Sequence, residues 1–230
     1  EVFGMDSAIH IIYVLLYIVL AGYGYRIWRN DAEKRGWRYW LFLVTAALIW
    51  DNAVLGLGAS IGAGRTLELL NAARFWMHAL VTPLLVLVSL DLIRSAGAGW
   101  AGSAAARGWA LLYTAFAAAM ELGGTTLKLR LVPRMENGVL QYVNAGDGGM
   151  PWMIVLVMIP VAAAAYALWK YRRSYALAVC LAVMAAGAAV RPPWAGAWMN
   201  GLELVLMTGL WMSAGMTVRK GGGQEKKTLA

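Results

Sequence analysis

The sequence has few charged residues, which soluble domains need, and few cysteines and histidines, which most metalloenzymes use as ligands. Its 230 residues include one cysteine, two histidines and six prolines, and only 14% of them are charged. A soluble domain has about a quarter charged residues, so this composition argues against one. The single Cys180 excludes a disulfide framework and a thiolate metal site within the chain, and we interpret it as a small buried apolar residue. Membrane zinc hydrolases and di-iron enzymes need more histidines than two.

Several motifs are missing as well. The sequence contains no glycine-rich phosphate loop, no Gly-x-Ser-x-Gly and no aspartate-rich run that could hold magnesium and a diphosphate. The last apolar run, AWMNGLELVLMTGLWMSAGM, has no lysine of the kind that retinal proteins require. His10 and His78 fall at different depths, which makes a haem held by both implausible. We therefore expect neither a metal nor a cofactor.

Apolar residues dominate instead, at 61% of the chain. A helix that crosses a bilayer needs roughly 20 apolar residues, and this predicts an all-α polytopic membrane protein, a bundle of seven transmembrane helices within residues 8–218. The predicted spans are 8–27, 39–60, 66–93, 107–124, 150–170, 175–190 and 197–217. The third is long and carries Pro83, which predicts a tilt or a kink. Residues 1–7 are expected to be an N-terminal extension, with 1–4 a cloning remnant, and 219–230 a basic tail.

Basic residues in the connections predict the orientation. One side of the predicted bundle holds fourteen of them: Arg26, Arg29, Lys34, Arg35, Arg38, Arg94, Arg107, Lys170, Arg172, Arg173, Arg219, Lys220, Lys226 and Lys227. The opposite side holds five: Arg65, Lys128, Arg130, Arg134 and Arg191. This places the N-terminus outside and the C-terminus in the cytoplasm, in a membrane that we expect to be the bacterial cytoplasmic membrane. The net charge of +8 is thus explained by the basic residues of the cytoplasmic connections. We therefore expect the lipid bilayer as a partner and no nucleic acid. The sequence indicates no protein partner.

The longest connection, 125–149, is polar and glycine-containing and is expected to face outside. It could cover an opening on that face, or it could be only a tether.

Polar residues recur inside the predicted spans, where charged side chains cost several kcal/mol and commonly mark function. They are Asp51 and Asn52 in the second span, Asn71, Arg74 and His78 in the third, Glu121 ending the fourth, and Asn200 and Glu203 in the seventh. The three in the third span follow the spacing i, i+3, i+7 and share one helical face. At about 1.5 Å per residue, Asp51, Arg74 and Glu203 reach a similar depth in the outer half. This predicts a pocket that opens outwards.

Two interpretations of this set remain open. Arg74 could form a salt bridge with Asp51 or Glu203 that only locks the bundle. Alternatively, three carboxylates for one arginine leave an excess of acid, which burial should keep protonated and able to donate a proton. Glu68, Asp91 and His10 lie near span ends, and we assign them to the membrane interface.

The sequence resembles the small seven-helix membrane terpene cyclases of meroterpenoid biosynthesis. Their second helix carries a tryptophan followed by an acid, as Trp50-Asp51 does in ALIWDNAVLG, and their last helix carries a second acid, as Glu203 does in NGLELVL. The separation between the two acids is also similar. Both acids differ in type from those of the family, and Arg74 and His78 have no counterpart in its pattern.

The resemblance implies a cyclisation of a hydrophobic, isoprenoid-type substrate, started by protonation of an alkene or an epoxide. Asp51 would be the donor, Glu203 the second acid or final base, and Asn52 and Asn200 would orient them. Aromatic rings attract cations, so five aromatic residues could shield the intermediates: Trp50, Phe75, Trp76, Tyr113 and Trp211. The remaining polar residues of the set would contact the substrate: Asn71, Arg74, His78 and Glu121.

Three other functions are compatible with the same residues. Buried acids with an arginine are typical of proton-coupled transporters, although spans 1–3 and 5–7 show no internal repeat. A lipid-binding or sensory heptahelical protein and a membrane lipid hydrolase that uses two acids also fit.

Overall fold

The computed structural model of the chain describes residues 4–146, 152–190 and 196–218. The protein is mostly helical, at 81%. The described part contains eight α-helices: α1 (Met5–Asn30), α2 (Leu41–Ile61), α3 (Arg65–Val81), α4 (Leu85–Ala96), α5 (Ala104–Gly124), α6 (Trp152–Arg172), α7 (Ala176–Val190) and α8 (Trp198–Met216). Short 3-10 turns cover Trp37–Trp40, Thr82–Leu84, Gly99–Gly102 and Thr126–Lys128. The predicted tail 219–230 and residues 1–3 lie outside the described residues. Helix α1 begins at Met5, three residues before the expected start of the first span.

Four described helical segments are long and apolar enough to cross a membrane: Met5–Asn30, Trp37–Ile61, Arg65–Ala96 and Trp152–Arg172. Helix α7 is apolar but has only 15 residues. Many large apolar side chains are exposed on the outward faces of the helices, among them Leu15, Val19, Leu112, Phe116 and Val183. Such extensive apolar exposure is typical of a surface that contacts lipid or a partner.

The helices form a closed ring in which each contacts its neighbours in sequence. Helix α1 packs against α2 and α8, α2 packs against α3, α4 packs against α6, and α6 and α8 both pack against α7. Helix α5 lies against α4 and α6. We call the end of the bundle where α1 begins and α5 finishes the hairpin end, and the end where α8 finishes the tail end.

Pro83 interrupts the third span. Helices α3 and α4 continue one another across the 3-10 turn Thr82–Leu84, where the proline stands in the first turn. A proline lacks the N–H that an α-helix needs four residues after each carbonyl, and its ring clashes with that carbonyl. The helical path therefore changes here, directly below the cavity described in the next subsection.

Trp211 of α8 holds three helices together in the core. Its side chain is fully buried, its indole Nε1 donates a hydrogen bond of 3.0 Å to Thr45 Oγ1 of α2, and its ring meets Phe42 edge-on at 4.8 Å between centroids. Gly24 of α1 lies so close to the indole that a Cβ there would stand 2.5 Å from the ring. Glycine at this position is therefore a packing requirement.

The connection after α5 contains a β-hairpin, which departs from the all-α prediction. Strand β1 (Leu131–Glu136) pairs antiparallel with β2 (Val139–Asn144) around Asn137 and Gly138. Both turn residues have positive φ, 49° and 82°, as a two-residue Asn-Gly turn requires. This Asn-Gly dipeptide, followed by the run VLQYVN with two valines and a tyrosine, is a sequence signal for a hairpin that the prediction overlooked.

The hairpin packs onto the helices and is more than a tether. The Tyr142 hydroxyl accepts a hydrogen bond of 3.0 Å from Gly64 N, and the ring packs with Val54 and Leu67. Ser7 Oγ of α1 donates a bond of 2.8 Å to Gly138 O. The hairpin thus covers the ends of α1, α2 and α3 on that side.

A buried ion network closes the tail end, and Arg38 is at its centre. This side chain is fully buried; its Nε donates to Asp91 Oδ2 at 2.8 Å, its Nη1 to Thr217 O at 3.0 Å and its Nη2 to Ser95 Oγ at 2.6 Å. The assignment of Asp91 to the membrane interface stays a prediction; its carboxyl is 4% exposed and joins α4 to the turn before α2 and to the end of α8 through Arg38.

Further charges complete this network. Arg94 Nη2 contacts both Asp91 Oδ1 and Glu33 Oε1 at 2.6 Å, while Asp31 lies 3.7 Å from Arg38 and accepts a bond from the Tyr39 hydroxyl at 2.6 Å. Two arginines here contact three acids. We refer to Asp31, Glu33, Arg38, Asp91 and Arg94 as the tail-end network.

Candidate functional site

A cavity of about 290 Å³ lies inside the ring, on the side of Pro83 that faces the hairpin end. Its wall comes from α2, α3, α6, α7 and α8, with Leu85 at the start of α4. Its charged and polar side chains are those of Asp51, Arg74, His78, Thr82, Asn200 and Glu203. Its size is near the lower limit of small-ligand pockets, roughly 300–1,000 Å³. We call it the central chamber.

Asp51 of α2 is held by two helices across the chamber. Arg74 Nε of α3 donates to its Oδ1 at 2.8 Å, and Asn200 Nδ2 of α8 donates to its Oδ2 at 2.9 Å. The ion pair is partly buried, with the two side chains 14% and 25% exposed. Asp51 thus has both carboxylate oxygens engaged by donors from two other helices.

The arginine is itself positioned from its own helix. Arg74 Nη1 donates to Asn71 Oδ1 at 2.7 Å, and Asn71 Nδ2 donates to Leu67 O at 2.8 Å. Because the amide nitrogen is used by the backbone carbonyl, the amide oxygen is the atom left to face the arginine. Asn71 and Arg74, which were expected to share one helical face, are therefore joined by a hydrogen bond, and Arg74 in turn contacts Asp51.

Glu203 of α8 stands in the same wall, one helical turn after Asn200, without a partner. Its carboxyl forms no hydrogen bond and no ion pair with any residue in the described ranges. A carboxylate without hydrogen bonds or a counter-ion is costly in an apolar site, whereas the neutral acid needs no counter-ion. Sequence reasoning assigned proton donation to Asp51, but the geometry distinguishes the acids differently, since Asp51 is ion-paired and Glu203 is not.

His78 and Phe75 of α3 complete the reactive part of the wall. His78 Nδ1 is 3.3 Å from Thr82 Oγ1, one turn further along the same helix, and its ring borders the chamber. Phe75 is the one aromatic carbocycle among the described lining residues. Four methionines line the wall as well: Met77, Met158, Met184 and Met207. Their thioethers make the apolar surface polarisable and adaptable in shape.

The other residues of the predicted set lie outside the chamber. Trp50 and Trp76 are more than a third exposed on the outer surface, and Trp211 is in the core. The Tyr113 hydroxyl donates to Leu156 O at 3.0 Å, and Glu121 is half-buried near the end of α5. Trp50 and Trp76 are each next to a lining residue, Asp51 and Phe75, but the step of about 100° along the helix turns the two tryptophans to the outer surface.

Asn52 contacts α1 and does not line the chamber. It lies one residue after Asp51, its Nδ2 donates to Leu48 O at 2.9 Å, and its Oδ1 is 2.8 Å from His10 Nδ1. Because the amide oxygen can only accept, His10 carries its proton on Nδ1. His10 is 3% exposed, so its assignment to the membrane interface was wrong.

Sequence reasoning missed a buried polar face on α1. Asp6, Ser7 and His10 occupy positions i, i+1 and i+4 and are all buried, and Asp6 Oδ2 accepts a bond of 3.0 Å from Gly196 N. Further along α1, the Tyr17 hydroxyl is fully buried with no hydrogen-bond partner in the described part of the chain, within electrostatic reach of Glu203. The spacing was a usable signal for the first three, whereas nothing in the sequence singles out Tyr17.

Among the described residues, no group of three or more histidine, cysteine, aspartate or glutamate side chains is arranged to hold a metal ion. No protein-family model, no curated protein and no solved structure matches the chain.

Proposed function

We propose that this protein is an integral membrane protein with seven spans, its N-terminus outside and its C-terminus in the cytoplasm. Support comes from the four long apolar helices, the closed ring and the exposed apolar side chains. Those basic residues of the predicted cytoplasmic set that the structure describes lie towards the tail end, which suits the cytoplasmic side of a bacterial cytoplasmic membrane. Helices α5, α7 and α8 would then be held across the bilayer by packing in the ring as well as by their own apolarity.

We further propose that the central chamber catalyses the metal-independent cyclisation of a prenyl chain, as the resemblance to membrane terpene cyclases suggests. Glu203 is the proton donor. The observation that carries this proposal is an unpaired acid and an ion-paired acid in the wall of one apolar chamber. Environments that separate the protonation states of two carboxyl groups are a common basis for acid–base catalysis.

The reaction conserves its atoms. The Glu203 carboxyl adds its proton to the terminal carbon of an alkene, or to the oxygen of an epoxide, and a carbocation forms. An internal double bond attacks that cation and closes a ring. The product cation then loses a proton to the Glu203 carboxylate, which restores the acid. An alkene substrate is thereby isomerised with no other reactant consumed.

Asp51 and its partners stabilise the cation and do not donate to it. The Asp51–Arg74 ion pair, fixed by Asn200, provides an oriented dipole beside the cation, while the Glu203 carboxylate left by proton transfer is the counter-charge. The Phe75 ring adds a cation–π attraction of roughly 0.5–2 kcal/mol. The polarisable methionines supply the rest of the surface and exclude water from the intermediate.

The test uses the full chain reconstituted in vesicles with a series of linear prenyl compounds and their terminal epoxides. Glu203→Gln is expected to reduce the yield of cyclic product by about 100-fold or more, which is the usual contribution of a general acid. Glu121→Gln, the same change outside the chamber, is the matched control and should leave the yield unchanged. In deuterated water the wild-type product should carry deuterium from the exchanged acid. Near-normal turnover by Glu203→Gln would refute the assignment.

A proton-coupled transporter is the second candidate. The observation in its favour is the Asp51–Arg74 ion pair in the wall of the chamber, since such pairs are common in proton-coupled carriers. Uptake of a solute into proteoliposomes driven by a proton gradient, lost in Asp51→Asn and accompanied by no cyclic product, would favour the transporter over the cyclase.

A further inference from the structure

A second cavity lies at the tail end, between the α1–α2 connection and the start of α5. Its volume is about 170 Å³, and guanidinium groups of Arg35, Arg94 and Arg107 form its wall beside Trp37. It shares no lining residue with the central chamber. We call it the tail-end pocket.

The two acids in its wall are already used inside the protein. Asp91 accepts from Arg38 through Oδ2 and from Arg94 through Oδ1, and is almost fully buried. Glu33 Oε1 accepts from Arg94 at 2.6 Å, and its Oε2 lies 3.8 Å from Arg38. Both carboxyl groups are therefore already in contact with arginines of the tail-end network.

The arginines of the pocket, in contrast, have N–H donors that bond to no acceptor among the described residues. Arg35 and Arg107 are exposed and form no ion pair with any residue that the structure describes, and Arg107 uses only Nη2, on Gly102 O at 3.1 Å. Arg94 bonds through Nε and Nη2, which leaves Nη1 open. Each guanidinium offers five N–H donors in a planar fork that matches the oxygens of a phosphate. The pocket therefore has a net positive charge and unused donors of the right geometry.

Neighbouring tryptophans indicate the depth of the pocket in a membrane. Trp40, Trp100 and Trp109 are exposed at the same end of the bundle. Exposed indoles of membrane proteins settle at the level of the lipid headgroups. Basic pockets at that depth bind the phosphates of anionic lipids.

We propose that the tail-end pocket binds the phosphate group of an anionic phospholipid headgroup. Arg35 and Arg107 contact the phosphate oxygens, Arg94 donates through Nη1, and Trp37 packs against the start of the glycerol. This inference rests on the proposed membrane embedding but not on the chemistry of the central chamber.

The test measures binding of phosphatidylglycerol to the full chain in phosphatidylcholine nanodiscs, by titration and by native mass spectrometry of the retained lipid. Arg35→Gln/Arg107→Gln is expected to weaken phosphatidylglycerol binding about tenfold or more, because an arginine near a lipid surface contributes about 1 kcal/mol. Arg26→Gln/Arg29→Gln removes the same charge at the same end, outside the pocket, and should leave binding near wild type. An unchanged midpoint of thermal unfolding in both pairs shows that the fold is intact.

The outcomes separate the possible sources of the phosphate. Lipid binding that inorganic phosphate does not displace supports a headgroup as the ligand. Binding of inorganic phosphate in a neutral detergent, with the same dependence on Arg35 and Arg107, supports the site with free phosphate as its ligand. Equal weakening by the two double variants, or no preference over phosphatidylcholine, would overturn the proposal. Cyclisation is assayed separately, so its failure leaves this result standing.

Discussion

The central chamber and the tail-end network both bring arginine and carboxylate side chains into the bundle, yet the two regions differ in how completely these are paired. In the tail-end network, Arg38 and Arg94 reach all three acids, and Arg38 adds hydrogen bonds to Ser95 and the end of α8. In the chamber, Arg74 reaches Asp51 and leaves Glu203 alone beside a cavity.

This difference separates the roles of the two regions. The Arg38 charge, held by an ion pair and several hydrogen bonds, fixes the packing of helices and lines neither of the two cavities. Glu203, a half-buried acid with no partner among the described residues, faces open space, and natural proteins accept such a group mainly at functional sites. The following predictions test whether the tail-end network supports stability and the chamber supports chemistry.

Loss of Arg38 should have the largest effect on stability. Arg38→Gln leaves Asp91 with one arginine fewer and removes the contact with Thr217, so the free energy of unfolding should fall by about 3–5 kcal/mol, as for other broken buried pairs. Reversible unfolding in mixed micelles measures this. Arg29→Gln, an exposed arginine at the same end, is the control and should change stability by less than about 0.5 kcal/mol. A small loss for Arg38→Gln would contradict a structural role for the network.

The ion pair of the chamber should contribute less. Arg74→Gln leaves Asp51 with Asn200 as its partner in a site that is partly open, and we expect a loss of about 1–3 kcal/mol. Arg74→Gln combined with Asp51→Asn should cost less than the two single changes added together, because neither variant side chain is then a stranded charge. Additive losses in this double-mutant cycle would show that the two residues do not depend on each other.

The packing between the two regions can be tested at two glycines of α1. Gly24→Ala places a methyl group against the Trp211 indole and should destabilise the protein by about 1–3 kcal/mol. Gly22→Ala meets nothing within 4 Å and should stabilise α1 by up to about 1 kcal/mol through helix propensity. Thermal unfolding of both variants checks this, and equal shifts would contradict the close approach of α1 and α8.

Glu203→Gln is expected to have the smallest effect on stability, although its effect on activity should be the largest. Glu203→Gln removes an acid that has no partner, so the free energy of unfolding should stay within about 0.5 kcal/mol of wild type or rise, while cyclisation is lost. Unfolding and product assays on one preparation would show both. A strong loss of stability would mean that Glu203 has a structural role that the chamber geometry does not reveal.

Much of the chamber could be predicted from residue spacing alone. Asn71, Arg74 and His78 share a helical face, and counting residues from the helix ends placed Asp51 and Glu203 at matching depth; Asp51, Arg74, His78 and Glu203 all line the chamber. The aromatic shell was harder to predict. A tryptophan side chain can face either lipid or the core. The rotation of each helix decides which of the two it faces, and in α2 and α3 it turns Trp50 and Trp76 to the outer surface.

The tail-end network could not be predicted from the sequence, for a different reason. Arg38, Asp91 and Thr217 come from three distant parts of the chain, and each is individually typical of a residue at a membrane surface. Their mutual burial depends on how α2, α4 and α8 converge. The β-hairpin, in contrast, is local, and the Asn-Gly turn at 137–138 could have predicted it.

Apolar length and a rise of 1.5 Å per residue were enough to predict a mostly helical chain with long apolar helices, because these quantities depend only on positions along one chain. The tertiary structure decided which carboxyl received the arginine. Arg74 is within reach of more than one acid by depth, and the rotation of α2, α3 and α8 about their own axes brings it to Asp51 and leaves Glu203 facing the cavity. Ion pairing requires contact at about 3 Å, and that contact is a property of packed helices.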